Sequence, residues 1–343
     1  MPDPRFSAHI IHYAGEANFP DKGSRSRIQL MQDDAAKLRQ MGSTRRIALV
    51  GVFGPHATEA PMARGLVGLG REVIYVPYRT IIRERGLSFL HSALQRLSSE
   101  VDAMVIFKGA GMGLPSLDPH VLAALKCPAI YWLPDNVDIV GTELLALGKA
   151  CTAFVSPCLR SCEAARDAGV SRVNQIFMTH EPRLFHSWPD IKPSRDVTFI
   201  GVVDDSRKPF LDRLREDGIE VQTPKAFGET ASRMMAESKI TLNFTRGELL
   251  SNRVFFALAS GAFLVSDGCQ DLRAIFEPHK HYVEWDGYEQ LHDTIRTFLD
   301  RPEERKRVAE AGRLAVQPWN INGQMAKLLR VIAGETVADG AFQ

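Results

Sequence analysis

NFTRGELLSNRVFFALASGAFLVSDG, residues 243–268, is the stretch that decides the fold of this chain. The apolar run at 240–244 predicts a strand, and the polar residues after it predict a loop. Ser251 can cap a helix that Gly261 ends, because a residue without Cβ takes a left-handed turn at little cost. Residues 262–266 predict a second strand. The stretch is therefore a βαβ unit.

The loop of this unit contains Gly247 and Glu248 and precedes the start of the predicted helix. It lies beyond the carboxyl end of a parallel strand, where open α/β sheets bind their ligands. The backbone N–H groups at the helix start would face the same point and favour an anion. We therefore expect the functional site here.

Composition places the chain among ordinary globular proteins. Its 343 residues suit two domains, each with its own core, and 45% of them are hydrophobic and 24% charged. The net charge of +1 gives no case for a nucleic acid or a membrane as partner, although a local basic groove is compatible with it.

Cysteine and histidine patterns do not suggest a bound metal. The five cysteines contain no Cys-x-x-Cys pair and are interpreted as reduced packing residues, and the ten histidines show no metal-ligand spacing. The N-terminus lacks the apolar core of a signal peptide, and no apolar run is long enough to span a membrane. The expectation is a cytoplasmic protein without a metal site.

Strand and helix patterns alternate from residue 45 onward, which predicts an α/β fold of two doubly wound, Rossmann-like domains facing a central cleft. A proline-rich segment at 180–195 is interpreted as the linker between the two domains. The predicted regions are an N-terminal extension at 1–44, a first domain at 45–190, a second domain at 191–317, and a segment at 318–343 that crosses back to the first domain.

Local signals also predict individual elements. HIIHY near the N-terminus predicts a short strand, residues 25–41 and 80–98 predict helices, and Asp118 before Pro119 predicts a capped helix start. Two capping boxes are predicted later in the chain, Asp286 with Glu289 and Asp300 with Glu303.

The first domain offers two polar loops that follow predicted strands. Gly51 and Gly54 would let an anion or a sugar approach the backbone, and His56 is a candidate polar contact to substrate, or an exposed loop histidine. Asp135 and Asn136 follow the strand AIYWL and would contact the substrate, or cap the next helix. The glycine-rich run at 108–113 lacks the Walker pattern and is interpreted as a wall of the cleft.

Arg207 and Lys208 follow the first strand of the second domain, at the start of its helix. Two cations beside free helix N–H groups suit a diphosphate. The alternative is a solvated pair of surface charges.

The chain resembles GT-B glycosyltransferases, specifically the CgeB-like (spore maturation protein B) group of glycosyl transferases family 1. The resemblance is carried by VTFIGVVDDSRKPFLDRL, RVFFALASGAFLVSDG and YEQLHDTIRTFLDRPEERKRVAEAG, and more weakly by YWLPDN. It implies a nucleotide-sugar donor held by the second domain, an acceptor held by the first, and no obligatory metal.

The resemblance assigns roles to particular residues. Arg207 and Lys208 match the basic pair that meets the donor diphosphate, and Glu248 matches the glutamate that contacts the donor sugar. Phe256 stands where the family has a second glutamate that holds the ribose, so an altered nucleotide contact is expected, or simple packing. The full donor set is Gly51, Gly54, Arg207, Lys208, Gly247, Glu248, Ser251, Asn252, Arg253 and Phe256; the catalytic set is His56, Arg207, Lys208 and Glu248.

The expected function is transfer of a sugar, from a UDP-sugar or a related nucleotide sugar, to an unidentified acceptor. By analogy with the retaining branch of the fold, the anomeric configuration would be kept. The alternatives are a GT-B-like protein that binds a nucleotide or glycan without turnover, for which Phe256 argues, and a transferase acting on a modified DNA base.

Overall fold

The computed structural model describes residues 11–12, 46–52, 57–109, 114–245 and 247–337. The chain forms two compact units. One contains the described residues up to Phe177 together with those from Asn322 onward, and the other is Met178–Ile321. The division falls after Phe177, whereas the sequence places the end of the first domain at residue 190.

The first unit is built on a sheet in which all neighbouring strands are parallel except β1, which pairs antiparallel with β3. Its order among the described residues is β1-β3-β2-β4-β5-β6-β7. The strands are β1 Ile11–His12, β2 Arg46–Gly51, β3 Glu72–Pro77, β4 Ala103–Phe107, β5 Ala129–Trp132, β6 Ala153–Ser156 and β7 Val173–Gln175. The helices are α1 Glu59–Gly68, α2 Tyr78–Arg85, α3 Leu87–Leu97, α4 Pro119–Ala123, α5 Val137–Val140, α6 Leu145–Ala150 and α7 Leu159–Asp167.

The second unit has a parallel sheet of order β12-β11-β10-β8-β9. Its strands are β8 Arg195–Thr198, β9 Val221–Gln222, β10 Ser238–Asn243, β11 Leu264–Asp267 and β12 Val283–Trp285. Its helices are α8 Lys208–Glu216, α9 Gly228–Ala236, α10 Asn252–Ala259, α11 Gln270–Ile275, α12 Gly287–Leu299 and α13 Pro302–Val316; α14 Ile321–Ile332 follows.

The predicted α/β class is confirmed, and its cause is visible in the strands. Every residue of β4 is buried, as are all residues of β5 and β6. Strands covered by helices on both faces need such continuous apolar runs. Each unit buries its own cluster of aliphatic and aromatic side chains against its sheet.

The βαβ unit at 243–268 forms as predicted. The Ser251 hydroxyl accepts a hydrogen bond from the Arg253 N–H and caps α10. Gly261 has a φ of 73° and turns the chain into β11. Strands β10 and β11 pair in parallel, with Asn243 opposite Ser266.

Two local predictions are wrong. The single helix at 80–98 is two helices, because Gly86 has a φ of 83° and a ψ of 164° that no helix accommodates. The capping boxes do not form: the Asp286 N–H donates to the Gln290 side chain at 2.8 Å, and α13 begins after Arg301 rather than after Asp300.

Other local predictions are confirmed or lie outside the described residues. The HIIHY segment contributes β1, and Asp118 caps α4 by accepting from the His120 N–H at 2.8 Å. The helix predicted at 25–41 lies outside the described part of the chain.

Candidate functional site

The carboxyl edge of the second sheet collects polar side chains from β10, β11 and the start of α10. The Asp267 carboxylate at the end of β11 accepts from the Thr245 N–H at 2.8 Å and from the Thr245 hydroxyl at 2.8 Å. Asn243 donates from its amide to the Ser266 hydroxyl at 2.9 Å. These bonds tie the ends of adjacent parallel strands together at the place where ligands bind.

Asp267 is an unusual carboxylate because it is largely enclosed. Burial raises its pKa, and the bonds from Thr245 and the charge of Arg207 oppose that rise. A carboxyl group placed between such hydrogen-bond donors positions the loop that follows β10.

Arg253 reaches this edge from the first turn of α10. Its Nε donates to the Ile200 carbonyl at 2.5 Å, and Nη1 donates to the Asn243 side-chain oxygen at 2.8 Å. The guanidinium lies 4.6 Å from the centre of the Phe199 ring. Nη2 lies beside Gly201, where a Cβ would collide with it, and has no hydrogen-bond acceptor among the described residues.

The charge of Arg253 is only partly compensated. Burial, and to a smaller extent repulsion from Arg207, lowers the pKa of Arg253 to about 9, so the side chain is still charged at neutral pH. Two neighbouring guanidinium groups can together bind an anion.

Arg207 is the second guanidinium, and it is buried, with 6% of its surface exposed. It donates to the Val202 carbonyl at 2.8 Å and to the Phe244 carbonyl at 3.4 Å, and pairs with Asp204 at 3.3 Å. It also lies 5.6 Å from the Phe199 ring centre, so both guanidiniums stack on one phenyl ring. Arg207 thus fixes the loop after β8 against the end of β10.

Lys208 does not accompany Arg207. Its side chain is 64% exposed and pairs with Asp212 one turn along α8. The two members of the predicted basic pair therefore point to different surroundings: Arg207 into the strand ends and Lys208 along the exposed helix.

Glu248 lies in the exposed loop before α10, next to Gly247, whose φ is 61°. Its carboxylate accepts from the Gln270 N–H, at the start of α11, at 2.9 Å. Glu248 therefore stands at the carboxyl edge beside β11, the same edge that holds Arg253 and Asp267.

Phe256 lies one turn beyond Arg253 on α10 and stacks on Phe185, with ring centres 4.1 Å apart and planes 7° apart. Ser260, on the same face, is buried and bonds the Ser232 hydroxyl at 2.8 Å. Asn252 is the first residue of α10 and partly exposed. On the face of α10 that the sequence presents as polar, Phe256 and Ser260 thus pack against side chains of the same unit, while Asn252 is partly exposed. A contact of Phe256 with a nucleotide stays a prediction.

The first sheet carries a second set of polar residues at its carboxyl edge. Asp135 follows β5 and accepts from the Lys108 ammonium, after β4, at 2.6 Å. Asn136 is buried and caps α5 through the Asp138 N–H at 2.9 Å. Of the two readings of this pair, helix capping applies to Asn136, while Asp135 is part of an ion pair.

The loop after β2 is described only at its ends. Gly54 and His56 lie outside the described residues. The space that a Cβ on Gly51 would need is occupied by Glu59, whose Oε1 would be 2.8 Å away. Glu59 is buried, accepts from the Val52 N–H at 2.8 Å, and has its pKa raised by burial.

Several residues of these two edges were missed by sequence reasoning. Asn243 and Asp267 end neighbouring strands and Thr245 lies in the loop after β10, and their partners are far away in sequence. Only the rule that polar residues gather at strand carboxyl ends could have found them. Lys108 was interpreted as part of a glycine-rich wall.

Comparisons with known proteins concern the fold and the class of domain. Residues 182–330 match the family described as glycosyl transferase-like. A search of curated proteins finds no match. Among solved structures, the chain is similar to HepE of Anabaena in complex with UDP and glucose, with a TM-score of 0.63 and 12% identity over 85% of this chain and 100% of that chain.

Two further structures are similar over nearly the whole chain. Sucrose-phosphate synthase from Thermosynechococcus elongatus has a TM-score of 0.62 and 12% identity over 85% of this chain and 100% of that chain. The β-glucosyltransferase of phage T4 has a TM-score of 0.57 and 12% identity over 84% of this chain and 100% of that chain. The predicted GT-B fold is confirmed by these structures, and the match to the glycosyl transferase-like family is confined to residues 182–330. The comparisons do not single out the CgeB-like group.

The described residues lack two features. They contain no group of three or more His, Cys, Asp or Glu side chains placed to hold a metal ion. None of their helices combines the length and the apolar character that a membrane span requires.

Proposed function

We propose that this protein transfers a sugar from a UDP-sugar to an acceptor, with the donor bound at the carboxyl edge of the second sheet. The observation that carries the proposal is the pair Arg253 and Arg207 stacked on Phe199 inside the glycosyl transferase-like domain. A diphosphate would compensate the charge of Arg253, and Arg207, which is paired with Asp204, would add to the positive potential. HepE, which is similar in fold, was solved with UDP and glucose, which supports a uridine nucleotide as donor.

Arg253 has the free hydrogen-bonding capacity that a leaving diphosphate needs. Its Nη2 lacks an acceptor among the described residues, and its other nitrogens are held in place by Ile200 and Asn243. A donor that is already oriented stabilises charge developing in the transition state without further reorganisation. Arg207 adds positive potential and keeps the loop after β8 in position. The N–H groups at the start of α10 increase this positive potential further.

Glu248 would contact the sugar of the donor. It is exposed at the same edge and anchored to the start of α11. A carboxylate there accepts hydrogen bonds from sugar hydroxyls, and such contacts align the anomeric carbon with the acceptor.

We propose that the anomeric configuration is retained, and NMR of the product anomer tests this. We also propose that the reaction needs no metal, and measuring activity in excess chelator tests that.

The test of the donor site is UDP binding by three variants. Arg253→Met should weaken UDP binding in calorimetry at least about tenfold, because one charge-assisted bond to phosphate is lost. Arg253→Lys should lose less, since it keeps the charge but not the planar fork. The matched control, Arg213→Met, removes an exposed arginine of α8 that pairs with Glu289. A folded Arg253→Met protein with wild-type UDP affinity would contradict the proposal. If the Arg253→Met protein does not fold, the UDP affinity of Arg253→Lys provides the test instead.

The second candidate is a protein that binds the donor without turnover. It is favoured by Phe256, because its stacking on Phe185 places a packed aromatic ring where a ribose-binding carboxylate is expected from the resemblance. Slow hydrolysis of a panel of UDP-sugars separates the two candidates, since a transferase releases UDP in water and a binder does not.

A further inference from the structure

The backbone at Lys108 adopts a conformation that only glycine takes at little cost. Lys108 has a φ of 63°, and the only other non-glycine residue with positive φ in the described part of the chain is His279. The Gly109 N–H donates to the Phe107 carbonyl at 2.7 Å, which closes a turn of three residues around Lys108. Turns of this kind with positive φ are rare and strained. A lysine is therefore held where a glycine would be more stable.

Three hydrogen bonds maintain this conformation. The Lys108 N–H donates to the Trp132 carbonyl at 2.9 Å, and its carbonyl accepts from the buried Tyr131 hydroxyl at 2.8 Å. The Leu117 N–H donates to the Gly109 carbonyl at 3.0 Å. Neighbouring strands thus determine the direction in which Lys108 leaves the sheet.

The turn leaves the Lys108 ammonium in contact with the Asp135 carboxylate. The two atoms are 2.6 Å apart, and the side chains are 27% and 32% exposed. Asp135 is also fixed, because its carbonyl accepts from the Ser161 hydroxyl at 3.1 Å. Ion pairs in contact with water contribute little to stability, so the pair does not by itself explain why lysine rather than glycine stands here. A strained residue beside a charged partner at the carboxyl edge of a sheet points to a binding role.

We propose that Lys108 and Asp135 form a site for the neutral, polyhydroxylated acceptor, binding two neighbouring hydroxyls of a sugar. The inference rests on the proposed function. The ammonium donates and the carboxylate accepts, and the two adjacent hydroxyls of a sugar ring can serve both. Because the two opposite charges lie 2.6 Å apart and cancel, the pair offers no net charge to attract an ionic ligand, and it therefore favours a neutral carbohydrate.

The test measures sugar binding and donor hydrolysis separately on the full chain. The sugar probes are glucose, galactose, mannose and maltose, with glucuronate and glucosamine as charged comparisons. Their binding is measured by saturation-transfer NMR in the absence of nucleotide. The variants are Asp135→Asn and Lys108→Gly. The matched control is Asp196→Asn, which breaks an exposed Lys239–Asp196 pair of the same 2.6 Å length.

Both site variants should weaken binding of the preferred neutral sugar at least about tenfold, because a hydrogen bond to a charged group is lost. UDP-sugar hydrolysis should stay within about twofold of wild type, since the donor lies on the other unit. Lys108→Gly should melt at or above the wild-type temperature, because glycine relieves the strain. A structural ion pair would instead give a lower melting temperature.

The outcomes separate this inference from the proposed function. Failure of the wild type to bind any neutral sugar, or wild-type binding by Asp135→Asn, overturns the acceptor site even if UDP-sugar is hydrolysed. A loss confined to the KM for donor overturns it too, because the pair would then hold the donor's sugar. Asp135-dependent sugar binding without hydrolysis of any UDP-sugar supports the site and contradicts the transferase.

Discussion

His180 makes the stability of the second unit depend on pH. Its side chain is buried, and burial lowers its pKa from 6.5 to about 4. The unfolded chain therefore binds a proton that the folded chain does not, and stability is lost as pH falls from about 6.5 toward 4. The full shift corresponds to roughly 3 kcal/mol, as an upper bound.

His180→Gln should remove most of this dependence, because glutamine does not titrate. Urea unfolding at pH 7 and at pH 4.5 measures this pH dependence. The difference between the urea midpoints at the two pH values should be smaller in the variant than in the wild type. The control is His120→Gln, which changes an exposed histidine of α4 and should leave the gap as it is. Equal gaps in the wild type and the His180 variant would show that other groups cause the acid sensitivity.

Residues were predictable from the sequence where their signal is local. Glu248 and Arg253 lie in one short loop and helix start, and the structure places both at the carboxyl edge of the second sheet. Asp267 and Thr245 could not be predicted in the same way, because their contact joins the end of β11 to the loop after β10, 22 residues apart in sequence. Glu59 looks like an ordinary acidic residue in the first turn of a helix, and only the folded chain shows that it fills the space beside Gly51.

Elements were predictable to the same extent. The alternation of buried strands and helices follows from apolar runs, and the helix cap at Ser251 from a single residue type. The break at Gly86 was missed because the apolar spacing continues on both sides, from Ile81 to Leu94. The capping boxes failed because Gln290 competes for the Asp286 N–H and Arg301 occupies the cap position of α13.

Gly86→Ala should lower the free energy of unfolding by about 1–3 kcal/mol, because α2 and α3 meet at a φ and ψ that only glycine occupies readily. A Cβ there meets no atom within 4 Å, so the cost is one of backbone conformation alone. Gly68→Ala is the matched control: Gly68 ends α1, and its Cβ would approach only Asn322 at 3.9 Å. The Gly68→Ala substitution should raise the free energy of unfolding by about 0.5–1 kcal/mol. Equal effects of both substitutions, measured by chemical denaturation, would contradict this account.

At the scale of the whole molecule, the two units differ in how the chain builds them. The second unit is the continuous segment Met178–Ile321, whereas the first is completed by residues from Asn322 onward. The segment at 318–343 was predicted to cross back to the first domain, with a last helical segment after PWNIN. The sequence could not show which contacts hold that segment, since these lie far from it in sequence.

The returning helix supplies a large part of the first unit's stability. Met325, Leu328 and Val331 of α14 are fully buried. The Phe177 N–H donates to the Gln324 side chain at 3.1 Å, and Arg172 donates to the Val331 carbonyl at 2.8 Å. Each buried aliphatic side chain contributes about 1.5–3 kcal/mol, so three approach the total stability of a typical domain.

A chain that ends at Ile321 should therefore lose the first unit and keep the second. Hydrogen exchange followed by mass spectrometry should show unprotected amides in β2 to β7 and protected amides in β8 to β12, with UDP binding retained. Met325→Ala combined with Leu328→Ala should shift the first unit in the same direction, because the helix remains but its buried side chains are truncated. Arg330→Ala, on the exposed side of α14 where the arginine pairs with Glu335, should leave both units protected. Full protection of β2 to β7 in the shortened chain would mean that the first unit is complete without its returning helix, and the contacts of Phe177 and Arg172 would then be dispensable.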